Sequence, residues 1–363
     1  MKNIPNITGL RFFLAVCVIL FHVSEFCSKH EIPFYNDLPI FNKGHEAVCM
    51  FFSLSGFLII RQLYFEKEET KTISLKYFYS KRALRIFPLY YLILIFGLVH
   101  YNYTLPKLGF VGEFNTNYNL YEGVVLSIFF MPNVFAELYK PGGIIEILWS
   151  IGVEEQFYLF IAPLLLLLPI RKVISFLSVS TIVFFLIYFT VDGNILYKYS
   201  MLFFYFTSSG IVSILMIKQP QLFNNKLVTY FSLLCFILYF TTDLFVDLCS
   251  VSSYNLSSMI LFCVVIGVLS DKPYFILNHR LTTYLGKISY GIYVYHAIVI
   301  QLVGLIYMKI YSNFNFNYSL VIVLYNSIVL LLTICISHFS YKYYEKFFID
   351  FYKNKSASRK HLH

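Results

Sequence analysis

The chain has 363 residues, of which 58% are hydrophobic, 20% aromatic and only 13% charged; its formal net charge is +9 and its mean hydropathy +0.69. A soluble domain carries about 25% charged residues and no long apolar runs, so an ordinary soluble protein is excluded. The positive balance does not point to nucleic acid, because the basic residues of a membrane protein collect in its cytoplasmic loops.

Apolar segments of about 18 to 22 residues recur along the chain, each long enough to cross a bilayer as a helix. Weak alternation and sparse Gly/Asn turn chemistry argue against a transmembrane barrel. The expected fold is all-α, a polytopic membrane protein of about ten transmembrane helices with both termini cytoplasmic.

The first segment, residues 7–26, reads ITGLRFFLAVCVILFHVSEF and contains Arg11 and His22. Ionisable side chains at membrane depth are costly and by default mark function. Eleven residues at about 100° each make roughly three turns, so the two side chains share one helix face, about 16 Å apart along the axis. No small-residue cleavage site follows, and the segment is read as a retained helix rather than a signal peptide. Further spans are expected at 47–65, 86–101, 149–170, 173–191, 196–217, 227–246, 253–270, 285–306 and 318–341. The apolar run 121–131 is too short to cross and is read as a re-entrant or interfacial helix.

With these spans, most lysines and arginines fall on the N-terminal side, in clusters such as Lys67 to Arg85, Arg171 and Lys172, and Lys342 to Lys360. The opposite side holds Lys29, Lys43, Lys107, Lys140, Lys198 and Lys309. That asymmetry is the basis for cytoplasmic termini. The seven cysteines show no metal-ligand spacing, and no metal is expected. Cys27 and Cys49 fall near one predicted membrane face, where packing is preferred to a disulfide. The tail at about 353–363 is basic and polar and is expected to be disordered, within reach of anionic membrane lipids.

Six short motifs stand in order along the chain: Arg11 and His22 as R-x10-H, MFFSLSGFLI from Met50, KRALRIFPLYYL from Lys81, LWSIGVEEQFYL from Leu148, ISYGIYVYH from Ile288 and YKYYEKFF from Tyr341. Each is weak alone. Together, their order and spacing resemble the acyltransferase-3 family of bacterial membrane O-acyltransferases over almost the whole chain. The resemblance implies transfer of an acyl group, usually acetyl from acetyl-CoA, to a hydroxyl of a cell-surface glycan or lipid-linked sugar. It implies a multi-pass protein of the bacterial cytoplasmic (inner) membrane. It also implies a single integral-membrane acyltransferase domain over 1–363, of the stand-alone type without a C-terminal hydrolase-like domain. The chain departs from the pattern where Phe347 follows Glu345 and Lys346 in place of the usual Pro.

The cofactor-binding candidates are Arg11, Arg82 and Arg85. Acyl-CoA is a phosphate-rich anion made in the cytoplasm, and Arg forks match phosphate oxygens bidentately. Arg82 and Arg85 are three residues apart and so share a helix face at the cytoplasmic start of the third span. Without the resemblance the favoured reading is that they are ordinary cytoplasmic topology signals. The catalytic candidates are His22 and Glu154. Neutral imidazole can take the hydroxyl proton or carry the acyl group near physiological pH. The plainer reading of His22 is a hydrogen-bonded packing histidine.

Ser150, Glu154 and Tyr158 share a face at i, i+4, i+8, and Glu154 falls at a depth similar to that of His22, where a carboxylate could orient the ring. His296, Ser150 and Glu155 are candidates for acceptor binding, with interfacial or structural roles as the alternative. Ser53, Ser55 and Gly56 are read as small residues that let helices approach closely. The rival function is a transporter or flippase of a glycan intermediate, which usually shows two related halves; none is visible here.

Overall fold

The computed structural model describes residues 4–35, 37–109, 118–311 and 317–351, and among these it is helical throughout, without a strand. The main helices are α1 (Ile7–Lys29), α2 (Gly44–Thr70), α3 (Leu75–Lys107), α4 (Leu120–Ile128), α5 (Pro132–Tyr139), α6 (Gly143–Leu167), α7 (Ile170–Thr190), α8 (Phe203–Lys218), α9 (Lys226–Thr241), α10 (Val251–Asp271), α11 (Arg280–Lys287), α12 (Ser289–Tyr311) and α13 (Tyr318–Phe351). The expected basic tail lies outside the described residues.

Every expected apolar span is helical, but not all are full length. Among the described residues, eight helices are long and apolar enough to cross a membrane: α1, α2, α3, α6, α7, α10, α12 and α13. Helices α8 and α9 have 16 residues each, about 24 Å against a hydrocarbon core of about 30 Å. Backbone breaks explain the shortfall. The span expected over 196–217 is interrupted at Ser200, which has a left-handed φ of 53°, and α8 starts only at Phe203. The span expected over 227–246 ends where Thr242 turns extended, with φ −135° and ψ 163°. The 121–131 run forms α4, nine residues long, about 14 Å and too short to span. Phe130, at φ 58°, separates it from α5.

Local chemistry sets several helix ends. Asn6 staples the start of α1 to the end of α10: its Nδ2 donates to the carbonyls of Leu269 (2.7 Å) and Lys272 (2.6 Å), and its Oδ1 accepts from the Tyr274 amide (2.8 Å). The Ser74 hydroxyl accepts from the Tyr77 amide at the start of α3. Lys67, on α2, donates its ammonium to the carbonyls of Leu165 (2.6 Å), Leu166 (2.9 Å) and Leu168, satisfying groups that the C-terminus of α6 leaves open.

Helix α2 is the central element. Of its apolar window 72% is buried, against 17% for the peripheral α7. Its closest neighbour is α8, and Gly56 shows why: a Cβ there would lie 2.2 Å from the Phe206 carbonyl oxygen. This is the close approach that small residues permit in membranes. Ser53 fits the same reading, being fully buried with its hydroxyl on the Cys49 carbonyl (3.2 Å). A second packed cluster joins α1, α12 and α13 through Ile19, Val23, Ile292, Val299 and Val329. Cys27 and Cys49 are buried free thiols, one in each cluster.

Candidate active site

A cavity of about 320 Å³ opens between α1, α2, α3, α6 and α12. Its wall on α2 is built by Val48, Phe51, Phe52, Ser55, Leu58, Ile59 and Gln62. That i, i+3, i+4, i+7 stripe is one helix face, and from Val48 to Gln62 it runs about 21 Å along the axis. At one end stand Arg11, Lys81, Arg82 and Arg85; Ser150, Ile151, Glu154, Tyr158 and Tyr293 line the rest. The expected common face of Ser150, Glu154 and Tyr158 is thus the cavity face of α6.

The arginines arrive from two helices remote in sequence. The Arg82 guanidinium lies 4.0 Å from the Tyr158 ring centroid and 5.4 Å from that of Phe78, which fixes its plane. Arg85 is exposed into the cavity mouth. Arg11 is half-buried and its Nε atom is buried without a hydrogen-bond partner. Among the described residues, none of the three forms an ion pair. A cluster of guanidinium groups facing a cavity without paired carboxylates is matched to an anionic ligand.

Glu154 sits on the cavity wall, held by two neutral donors. Ser55 Oγ donates to its Oε1 (2.8 Å) and the Tyr158 hydroxyl to its Oε2 (2.9 Å). The expected pairing of Glu154 with His22 is therefore replaced by these bonds. Glu154 turns toward α2. Ser55, read from sequence as a packing residue, is the link that α2 supplies. Glu155 is one residue and about 100° further round α6. It is buried, absent from the cavity lining, and electrostatically coupled to Arg82 and to Tyr79, Tyr90 and Tyr91 of α3. Its position does not fit the acceptor-binding role expected for it. Ser150 does line the cavity. The Tyr293 hydroxyl has one proton, which it donates to the Ile147 carbonyl (3.0 Å), so Ser150 Oγ is the donor in the 2.6 Å contact between the two hydroxyls.

Neither His22 nor His296 lines this cavity; the structure brings the two together, His296 lying one helical turn beyond the cavity-lining Tyr293. Their rings stack with centroids 5.2 Å apart and planes inclined by 28°. His296 is fully buried; its Nδ1 bonds the Tyr293 carbonyl, and its Nε2 is buried without a partner. Because a carbonyl only accepts, Nδ1 carries the proton and Nε2 presents a lone pair. Tyr293 is thereby both a wall of the cavity and the anchor of His296. Its place in ISYGIYVYH, one helical turn before His296, was the signal available in the sequence.

His22 is partly exposed, with 30% of its side chain accessible. Its Nδ1 lies 3.2 Å from Glu25 Oε2, and the other oxygen of Glu25 accepts from Lys29 (2.8 Å). The carboxylate that contacts His22 is thus Glu25, which sequence reading did not single out. Glu345, in the final motif, is buried where α13 widens into a π turn over Tyr341–Glu345; it accepts from Ser340 Oγ (3.1 Å). Phe347, which replaces the usual Pro, is exposed. No group of three or more His, Cys, Asp or Glu residues able to hold a metal ion occurs among the described residues.

Comparison with known proteins agrees with this architecture. Residues 4–338 match the acyltransferase-3 family model, described as an acyltransferase domain. A protein provisionally named an acetyltransferase in Acidianus two-tailed virus is 28% identical over 315 residues, covering 83% of this chain and 85% of that protein. The peptidoglycan O-acetyltransferase of Listeria monocytogenes is 28% identical over 180 residues, 47% of this chain and 25% of the relative. A protein provisionally named an O-acetyltransferase in Staphylococcus aureus is 23% identical over 345 residues, 85% of this chain and 52% of that protein. The chain thus spans about half the length of the staphylococcal relative and a quarter of the listerial one. No solved structure matches significantly. The family match covers nearly the whole chain and includes every helix that lines the cavity, so the chain belongs to the acyltransferase-3 family and is a multi-pass membrane acyltransferase.

Proposed function

We propose that this protein moves an acetyl group from acetyl-CoA to a hydroxyl of a cell-surface glycan or lipid-linked sugar, in the cytoplasmic membrane of a bacterium. The observation that carries the reading is the cavity lined by Arg11, Arg82 and Arg85, cations without ion-pair partners among the described residues. In this account both termini are cytoplasmic, and the arginines hold donor phosphates arriving from that side. The apolar stripe of α2 guides the pantetheine arm outward. The thioester then comes up to the His22–His296 pair from one side and the acceptor hydroxyl from the other. His22, more accessible than His296, is the base or transient acyl carrier; His296, buried and neutral, accepts a hydrogen bond. Glu154 and Ser150 line the path between donor and acceptor ends, with Glu154 compensating the arginine charge when no donor is bound. The domain is proposed to be one integral-membrane unit over 1–363.

The relatives' names support acetyl as the group transferred, and the listerial name supports a glycan as the acceptor class. The test is transfer of radiolabel from acetyl-CoA to de-O-acetylated polysaccharide of the producing cell by purified protein in nanodiscs. Label should enter the polysaccharide with the native protein and not with His22→Ala. Absence of transfer and of CoA release with native protein would remove the reading and favour transport.

A further inference from the structure

Resting on the reading of His22 as the base, we propose that Glu25 is a positioning residue that fixes the tautomer of His22 with Nε2 unprotonated and aims the ring at the acyl-transfer point. Three features of the geometry support it. Glu25 Oε2 lies 3.2 Å from His22 Nδ1, three residues on and so one turn up the same face. A carboxylate only accepts, so the contact places the ring proton on Nδ1 and leaves the Nε2 lone pair free. On its other side the ring is bounded by His296 of α12, stacked at 5.2 Å, and by Phe21 at 5.1 Å. Held by a carboxylate at Nδ1 and confined by two rings, the imidazole has one orientation. Lys29 donates to the second oxygen of Glu25 and fixes the carboxylate in turn.

His296 cannot substitute for Glu25 in this role. Its Nδ1 is engaged by the Tyr293 carbonyl and only its Nε2 is open, so it too presents an acceptor rather than holding the His22 proton. The two imidazoles are thus anchored by different acceptors, a carboxylate for one and a backbone carbonyl for the other.

The step this supports balances as follows. The acceptor oxygen attacks the thioester carbonyl as its proton passes to His22 Nε2, giving a tetrahedral oxyanion and an imidazolium whose Nδ1–H stays on Glu25. The C–S bond then breaks, the carbonyl re-forms as the ester, and the Nε2 proton goes to the departing sulfur as the CoA thiol. His22 returns to its starting tautomer, and Glu25 is ionised throughout.

A half-exposed i, i+3 contact with only a structural role would contribute little to stability and nothing to turnover. The experiment therefore compares Glu25→Ala, Glu25→Gln, Glu25→Asp and His22→Ala by acetyl transfer to de-O-acetylated polysaccharide of the producing cell, with acetyl-CoA as donor. It adds 15N NMR of histidine-labelled native and Glu25→Ala protein, with His22→Ala used to assign the His22 signals. The expected result is a kcat loss of about tenfold or more in Glu25→Ala, an unchanged KM for acetyl-CoA, partial recovery in Glu25→Asp, and a native His22 protonated at Nδ1 that shifts toward the other tautomer in Glu25→Ala. Should Glu25→Ala misfold, Glu25→Leu, similar in size and unable to accept a hydrogen bond, carries the kinetic comparison, whereas Glu25→Gln keeps a carbonyl acceptor for Nδ1–H and should retain more activity. Native-like kcat in Glu25→Ala or Glu25→Leu with His22→Ala inactive, or an unchanged His22 tautomer in Glu25→Ala, overturns the positioning role alone. An active His22→Ala overturns the underlying reading and this proposal together.

Discussion

Replacing Arg82 with Lys tests the donor end of the cavity while keeping its charge. The Arg82 guanidinium is stacked 4.0 Å from the Tyr158 ring centroid and bordered by Phe78. A lysine keeps the cation but loses the planar face and the second donor direction. The stacking contributes about 1 kcal/mol to the fold, but it is present with or without ligand and cancels in the binding constant. Exchanging a bidentate phosphate contact for a point contact costs about 1 to 2 kcal/mol. That is roughly a 5- to 30-fold rise in the Kd for CoA. Titration of purified protein in nanodiscs with CoA measures it directly, and steady-state kinetics should place the loss in the donor KM with kcat changed less than about threefold. Tyr158→Phe is the matched control, since it keeps the ring under Arg82 and removes only the hydroxyl on Glu154. An Arg82→Lys variant that binds CoA within threefold of native, or that loses kcat alone, would refute the assignment of this arginine to donor phosphate.

Other consequences follow from the same geometry. His22→Ala should lower kcat by about 100-fold or more with CoA affinity retained, read by label transfer and by CoA titration. Ser55→Ala removes one of the two donors to Glu154 and should lower transfer several-fold without moving the thermal midpoint, read by activity and melting in parallel. Gly56→Ala forces a Cβ to within 2.2 Å of the Phe206 carbonyl oxygen and should destabilise the α2–α8 contact by about 1 to 3 kcal/mol, seen as a lower melting temperature in detergent. Lys67→Met leaves the carbonyls of Leu165, Leu166 and Leu168 without their ammonium donor and should cost about 1 to 3 kcal/mol by the same measurement.

Much of this arrangement is legible in the amino-acid sequence, and what is not has identifiable causes. Arg11 and His22 are visible because charge and imidazole stand out inside an apolar run. Arg82 and Arg85 are visible by their spacing, as is the shared face of Ser150, Glu154 and Tyr158. These are one-helix properties. What depends on how helices rotate against each other is not legible. Depth suggested Glu154 as the partner of His22, whereas rotation of α6 gives Glu154 to Ser55 and Tyr158. Ser55 looks like any small packing residue until α6 is placed beside it, and Gly56, its neighbour, does serve packing. Glu25 lies near the C-terminal end of α1, where a carboxylate is unremarkable in composition, and only its contact with His22 gives it meaning. The spans expected over 196–217 and 227–246 run past α8 and α9 because Ser200 takes a left-handed backbone and Thr242 an extended one, and no Gly or Pro stands at either position.

The central claim is that arginines at one end of the cavity hold a nucleotide whose acyl arm ends at His22. The most direct test is a structure of the protein with CoA bound. The account predicts the phosphates on the guanidinium groups of Arg82 and Arg85, with the sulfur at the His22–His296 pair. Phosphates bound elsewhere, or a sulfur ending away from both imidazoles, would contradict it.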